Sequence, residues 1–437
     1  MTQRLRPFQE RGRDFLSVRS GALLGDQPGL GKTAQAIAAA DDRAANRIVV
    51  LCPASLKTNW AREIRKFSFL PGSVHIPSAK ELLPVARWTI INYDIAHLPA
   101  IRYQLEAPHL RPDLLLCDEM HRLKGGPDTA IGRAFLDSFA KSAGGVWGLS
   151  GTPAPNHLGE LFWWISAVCP QMLKGELRDY YRFLARYTIY RDTPYGPRVQ
   201  QNKNVDEFRA AFAEYFLRRR VVEVMPELPR LEIQRVCLDA KKADLRKIEL
   251  HPEYEKIKTL AAALAEGDAD LSADEYATTR RLTGILKAPL YAELLGEELD
   301  AAPERKIVVM CWHREVIDML SAALSRFGVV VVHGGVSTSD RQFAVDTFQS
   351  AESGVRVFIG QLQAAGEGLT LTAANQVDIV ESNWVPKDIE QALRRVLRIG
   401  QTSDRCVGRF VSLGASIDEL IDNVLERKTR LLVEVFD

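Results

Sequence analysis

The sequence predicts an α/β fold in two units, each a parallel sheet with flanking helices, and three observations predict it. Short β-branched runs alternate with helix-length amphipathic segments across residues 20–150: ALLG, RIVVLC, WTIIN, DLLLCD and VWGLS. The same alternation resumes after Pro303 with KIVVMC, GVVVVH, VRVFIG, QVDIVE and CVGRFVSL. Between them, residues 156 to about 300 lack strand runs, except around Leu231 to Leu238, and are rich in helix formers. Strands alternating with helices imply parallel pairing through crossovers. Pro226-Glu227-Leu228-Pro229 is the best break, because proline fixes φ and cannot continue a helix. The expected organisation is 1–225 for the first unit, with a helical protrusion from about 156. A linker and helical insertion over 226–302 and a second unit over 303–437 complete it.

Taken in order, the first strand run, Ala22-Leu23-Leu24, leads into GDQPGLGKTAQ and then an alanine-rich helix from Ala34 to Ala40. This resembles a phosphate-binding loop, G-x-x-x-x-G-K-S/T, with Asp26 where the first glycine would stand. Gly29 and Gly31 let the backbone curl so that N–H groups face phosphate, and the helix N-terminus adds its dipole. Lys32 would reach the β- and γ-phosphates and the Thr33 hydroxyl would bind Mg²⁺. Further on, LLLCDEMH puts Asp118 and Glu119 at a strand tip, where ligands bind in open α/β sheets. Adjacent carboxylates repel unless a cation intervenes. Asp118 would hold Mg²⁺ and Glu119 would orient and deprotonate a water. LSGTPAPN follows the next strand and offers Ser150 and Thr152, turn residues when taken alone.

Composition narrows the classes. The 437 residues carry 57 Lys and Arg against 56 Asp and Glu, a net charge of +1, so a nucleic-acid surface must be a local patch. The six cysteines lie far apart, without the spacing of a zinc site or disulfide framework. Cys52, Cys117 and Cys311 end apolar runs and read as small buried hydrophobes. No apolar run approaches the roughly 18 residues of a membrane span, and the arginine-bearing N-terminus lacks a secretory apolar stretch. The expectation is a non-secreted protein, cytoplasmic or nucleoid-associated, or nuclear in a eukaryote, monomeric and without structural zinc.

The motifs, in order, resemble the SWI/SNF-type ATPases of helicase superfamily two. LRPFQERGRDFL is similar to the family's adenine-reading glutamine motif, and GDQPGLGKT to its D-E-M-G-L-G-K-T loop. PASLKTNWAREIRKF, CDEMHRLKG, LSGTPAPNHLGELF and FLRRRVVEVMPELP follow in family order. The stretch from Gly360 to Gln401 resembles the block ending in Q-A-x-D-R-x-H-R-I-G-Q. KIVVMCWHREVIDMLSAAL and GEGLTLTAAN lean toward the annealing-helicase (HARP-like) branch, without the accessory domain typical of it. Gln27, Pro28, Met120, Val221, Val385, Arg394 and Leu397 depart from the family pattern.

The resemblance implies two RecA-like lobes of the P-loop NTPase class. It implies Gln9 for the adenine and Asp26, Gly29, Leu30, Gly31, Lys32, Thr33 and Gln391 around ATP and Mg²⁺. His121, with Ser150 and Thr152, would couple the nucleotide site to the second lobe, and for His121 a supporting hydrogen bond is an equal alternative. A helix over Asp388–Arg398 would place Gln391, Arg395 and Arg398 at i, i+4 and i+7 on one face, where the two guanidiniums would act as arginine fingers. Contacts to a nucleic-acid backbone carry over to Ser55, Lys57, Tyr93, His333, Gly334, Gly335, Thr370 and Thr372. Trp384 either meets the track or closes the core. Arg218, Arg219 and Arg220 either contact phosphate or pair structurally between the lobes. The implied activity is a DNA-stimulated ATPase that moves along double-stranded or branched DNA. The alternatives are a strand-separating or fork-remodelling helicase, and an ATP-gated DNA-binding switch.

Overall fold

The structure is a computed structural model. It describes residues 4–193, 196–226, 228–239, 241, 246, 250, 255, 277–362, 369–381, 386–398, 400–414 and 416. The chain divides between Val224 and Met225 into two compact units.

The first unit holds β1 (Gly21–Leu24), β2 (Ile48–Cys52), β3 (Val74–His75), β4 (Trp88–Asn92), β5 (Leu114–Asp118), β6 (Val146–Leu149) and β9 (Phe216–Leu217) in the order β3-β4-β2-β5-β6-β1-β9. Every pairing is parallel. β2, β4 and β5 are buried at every position, as a sheet covered on both faces requires. Alternation assigns the two faces: Ile48, Val50, Leu114 and Leu116 enter one core, Val49, Leu51, Leu115 and Cys117 the other. Helices α1 (Pro7–Ser17), α2 (Lys32–Asp42) and α3 (Lys57–Phe67) cover the first face with Leu16, Ile37, Trp60 and Ile64.

The other face is covered by the segment from about 156 that was expected to protrude. Leu158, Phe162, Trp164, Phe183, Tyr187, Phe208 and Phe212 all join its core. The correction has a simple cause: Phe183/Tyr187 and Phe208/Phe212 are i, i+4 aromatic stripes whose area has to leave water. This segment also carries an antiparallel hairpin the sequence did not announce, β7 (Thr188–Thr193) and β8 (Gly196–Asn202).

The second unit is a six-stranded parallel sheet, β10 (Arg230–Leu238), β11 (Ile307–Cys311), β12 (Val329–Val332), β13 (Val357–Gln361), β14 (Gln376–Ile379) and β15 (Arg405–Leu413), ordered β10-β15-β14-β11-β13-β12. The region expected to be linker and insertion, 226–302, supplies two of its parts. β10 pairs with all of β15, and the helix Ala277–Ala301 buries Tyr291, Leu295 and Leu299 against Val309 and Cys311. Mostly exposed on its outer edge, β10 lacked the apolar signature of a central strand. Both sheets with their helices make the fold two RecA-like lobes. Cys52, Cys117 and Cys311 are buried, and burial pushes the Cys117 and Cys311 thiols up, as inert core residues. Among the described residues no helix is long and apolar enough to cross a membrane.

Candidate nucleotide-binding and coupling site

β5, β6 and β1 are neighbours and parallel, so their C-terminal ends bring Asp118-Glu119, Ser150-Gly151-Thr152 and the 25–31 loop to one edge. Gly29 (φ 96°) and Gly31 (φ 71°) adopt left-handed backbone that favours glycine. Gly31 is the N-cap of α2, so the first N–H groups of that helix face the loop. Lys32 Nζ donates to the Asp26 carbonyl at 2.7 Å. Burial lowers the Lys32 pKa, against the charges of Glu119, Asp26 and Asp118.

The Asp26 side chain does something other than the sequence suggested. It is fully buried and accepts from Arg219, Nε to Oδ1 at 3.0 Å and Nη2 to Oδ2 at 2.5 Å. Gln35 Nε2 adds a bond to Oδ2 at 3.1 Å and another to the Leu30 carbonyl at 3.1 Å. Arg219 also donates to Gln35 Oε1 at 2.7 Å and to the Phe8 carbonyl. With every oxygen engaged internally, the Asp26 carboxylate shapes the loop instead of meeting phosphate. The arginine triplet is partnered within its own unit rather than between the lobes: Arg219 with Asp26, Arg218 with the Gly151 carbonyl at 2.7 Å, and Arg220 with Glu223.

Gln9 is buried on α1, donating from Nε2 to the Leu30 carbonyl at 3.2 Å and accepting from Arg6 N at 2.9 Å. A Cβ on Gly31 would lie 2.5 Å from Gln9 Nε2, and one on Gly12 would lie 1.8 Å from Gln35 Oε1. The loop departures are contact points. Gln27 N donates to the Arg219 carbonyl at 3.1 Å, and its side-chain oxygen accepts from Val221 N at 2.9 Å. The Pro28 ring lies against Gly151, where a Cβ would come 2.8 Å from Pro28 Cδ.

Asp118 is buried, with Oδ2 accepting from Trp60 Nε1 at 2.7 Å and Oδ1 from Glu119 N at 3.0 Å. Burial, then the Glu119 charge, raises its pKa to about 7, while the Trp60 bond and Lys32 pull it down. Glu119 takes φ 52°, an uncommon geometry for a side-chain-bearing residue that turns the chain out of β5. His121 Nδ1 lies 3.2 Å from both Glu119 Oε2 and Ser150 Oγ, and Ser150 Oγ accepts from Thr152 N at 3.2 Å. His121, Ser150 and Thr152, named together from sequence, therefore lie in one row beside Glu119, hydrogen-bonded from His121 onward, with Glu119 Oε2 only approached by His121.

The expected track residues behave differently from one another. Tyr93 is a correction: it is buried and its hydroxyl donates to the Asp118 carbonyl at 2.7 Å, supporting the acid pair from beneath. It follows the fully buried β4, so its ring stays in the core. Ser55 is half-buried, and Lys57 Nζ reaches Asn92 Oδ1 at 3.3 Å.

In the second unit the helix stops at Leu393, so the expected continuous face through Arg398 does not form. Arg395 N donates to the Ala392 carbonyl, and the Arg395 carbonyl is taken by Leu371 N at 3.0 Å, which turns the chain. Gln391 and Arg395 are buried, with Arg395 Nη1 donating to the Leu369 carbonyl at 3.1 Å. Arg398 Nη1 donates to Thr370 Oγ1 at 3.1 Å, and Thr372 Oγ1 accepts from Gln349 at 3.1 Å. Trp384 lies outside the described residues.

Along the C-terminal rim of this sheet runs a polar chain the sequence did not flag. Buried Glu381 accepts from Trp312 N and His313 N, each at 2.9 Å, and from His313 Nδ1 at 2.7 Å. Gln361 donates to the Trp312 carbonyl at 3.1 Å and accepts from Gly334 N at 3.0 Å, and His333 Nδ1 accepts from Gly335 N at 3.0 Å. The exposed Gly334 and Gly335 are thus pinned to their own sheet.

Residues 13–271 match the SNF2-related domain, and residues 290–400 match the helicase conserved C-terminal domain. The chain belongs to the SNF2-related family. Its two matched segments are thus an SNF2-related domain and a helicase C-terminal domain. It is 27% identical over its whole length to the SWI/SNF-related matrix-associated actin-dependent regulator of chromatin subfamily A-like protein 1 of Drosophila melanogaster, covering 56% of that protein. It is 28% identical over 98% of its length to the mouse DNA annealing helicase and endonuclease ZRANB3, covering 40% of it. The SNF2-family core thus spans about half the length of these curated relatives. A Sulfolobus solfataricus SWI2/SNF2 ATPase core in complex with dsDNA aligns over 100% of this chain and 93% of its own, at 22% identity and TM-score 0.47.

Proposed function

We propose that the chain couples ATP hydrolysis to movement along double-stranded DNA, remodelling DNA or protein–DNA complexes. The observation that carries this reading is the row Glu119–His121–Ser150–Thr152, in which His121 stands 3.2 Å from the acid at the β5 tip and is hydrogen-bonded to the loop after β6. A hydrolytic residue beside a group bonded to a neighbouring loop suits an enzyme whose turnover drives a conformational step. DNA enters from the names of the relatives, which include a DNA annealing helicase.

The residues present fit a nucleotide with Mg²⁺. A buried Asp118 whose pKa is raised partly by an adjacent carboxylate is a donor set that a divalent cation would stabilise. Asp118 and Thr33 would hold the ion, and bound Mg²⁺ would neutralise charge on the β- and γ-phosphate oxygens. Gly29, Leu30, Gly31 and Lys32 would hold the phosphates, and Gln9 with Gln391 would complete the nucleotide site. Glu119 would take the proton of the attacking water. Arg395 and Arg398 would answer charge at the transferred phosphate. Ser55, Lys57, the Gly334-Gly335 turn, Thr370, Thr372 and Trp384 would meet the DNA backbone without reading bases.

A second reading, annealing or fork remodelling, is favoured by likeness to the annealing helicase at 28% identity. ATPase rates without nucleic acid and with single-stranded, duplex and forked DNA and RNA test both. Stimulation by duplex supports translocation, greater stimulation by forks favours the second reading, and equal rates in all five overturn both.

A further inference from the structure

The β7–β8 hairpin is a two-stranded sheet of its own, outside the nucleotide site. In its register Arg191 stands directly opposite Arg198. Directly opposed residues of an antiparallel pair leave the same face with Cβ atoms about 4.5–5.5 Å apart, where like charges destabilise. Arg191 is exposed and Arg198 half-buried, and among the described residues neither has an ion pair or side-chain hydrogen bond. Nearby cations are matched: Arg186 with Glu207, Arg209 with Asp206, Lys124 with Glu160. Asp192 is the only acid in the hairpin sequence, and alternation sends it to the opposite face. Lys203, at the foot of β8, adds an exposed cation.

A small hairpin is marginally stable by itself, so two opposed guanidiniums work against it unless an anion lies across them. Guanidinium forks match phosphate oxygens bidentately. We propose that this hairpin is a docking surface for the sugar–phosphate backbone of duplex DNA, Arg191 and Arg198 each taking a phosphate. The inference rests on the reading of DNA as the track and names a contact on it that no motif carries. Contacts of this kind position a protein on a duplex without selecting sequence.

The test is the salt dependence of binding to a fluorescent blunt duplex by the whole protein, as wild type, as Arg191→Gln with Arg198→Gln, and as Arg191→Glu alone. The expected result is weaker binding in both variants, with the slope of log K against log salt reduced by about 0.9 for each arginine neutralised. Arg191→Glu is the sharper arm. It turns a repulsive cross-strand pair into an attractive one, so a purely structural hairpin would bind DNA as well as before, whereas a phosphate contact is lost. Wild-type affinity and slope in both variants overturn the proposal and leave the proposed function standing. A wild type that does not bind duplex overturns the proposed function, and the hairpin contact with it.

Discussion

Arg219 grips Asp26 through both carboxylate oxygens beneath the phosphate-loop candidate, with Gln35 closing the triangle. Asp26 is fully buried and the Arg219 side chain is 11% exposed. Removing one member of a buried pair strands the other charge, which costs about 3–5 kcal/mol. Asp26→Ala and Arg219→Ala should each lower unfolding stability by that order, and the double variant should lose less than the sum. Denaturant unfolding checks this; additive losses would dissolve the latch.

Gln27 and Pro28, the odd members of the loop, face two different neighbours, the segment that leaves the first unit and the loop after β6. The Gln27 side chain accepts from Val221 N, and Pro28 rests on Gly151. Gln27→Ala should cost about 0.5–1.5 kcal/mol for the lost bond. Gln27→Glu with Pro28→Met restores the family residues and keeps an acceptor for Val221, so its unfolding midpoint should exceed that of Gln27→Ala. A midpoint equal to or below that of Gln27→Ala would assign the bond no role.

Asp118 sets a pH dependence with a definite sign. Its carboxyl is raised from 3.8 to about 7 in the folded protein, so the native state holds more protons than the unfolded chain between those values. Without Mg²⁺, stability from this group therefore falls as pH rises from about 4 through about 7. Mg²⁺ needs the ionised form, so Mg²⁺-dependent ATP binding should weaken below about pH 7. Trp60→Phe removes a donor to the ionised carboxylate and should move the onset of Mg²⁺-dependent binding to higher pH. ATP titrations with and without Mg²⁺ across pH 5.5–8.5 measure both effects.

Arg395 and Arg398 should separate by phenotype. Arg398, half-buried and joined to Thr370, is expected to act on the phosphates, so Arg398→Ala should lower turnover by about 10³–10⁵ with ATP binding retained. Buried Arg395 donates to the Leu369 carbonyl, and Arg395→Ala should in addition lower the unfolding midpoint. Steady-state rates beside unfolding curves decide it; turnover largely intact in Arg398→Ala would remove it from the finger role.

The sheets were legible because parallel strands covered on both faces are written as continuous apolar runs, IVVLC and LLLCD in one unit and IVVMC in the other. β10 was legible only as an isolated run around Leu231–Leu238 within a linker, and the hairpin not at all, because edge and isolated strands carry polar residues on their open sides. The chemical groups stood in short local motifs and could be named from sequence. Their partners could not: Arg219 is 193 residues from Asp26 and Trp60 is 58 from Asp118. Only the fold brings them together. Tyr93 was misjudged because a tyrosine at a strand end suits the surface and the core equally, and its bond to the Asp118 carbonyl is a tertiary fact. The helix over 388–398 was drawn too long because periodicity does not register a carbonyl diverted to Leu371.

Displacement of the third strand from a DNA triplex tests the central claim most directly, since it reports motion along a duplex without strand separation. With ATP and Mg²⁺ the whole protein should release the third strand, Glu119→Gln should bind ATP and DNA yet release none, and Asn at Asp118 should lose Mg²⁺-dependent ATP binding as well. Duplex-stimulated hydrolysis with no displacement, or equal displacement by Glu119→Gln, would contradict a motor driven by this site.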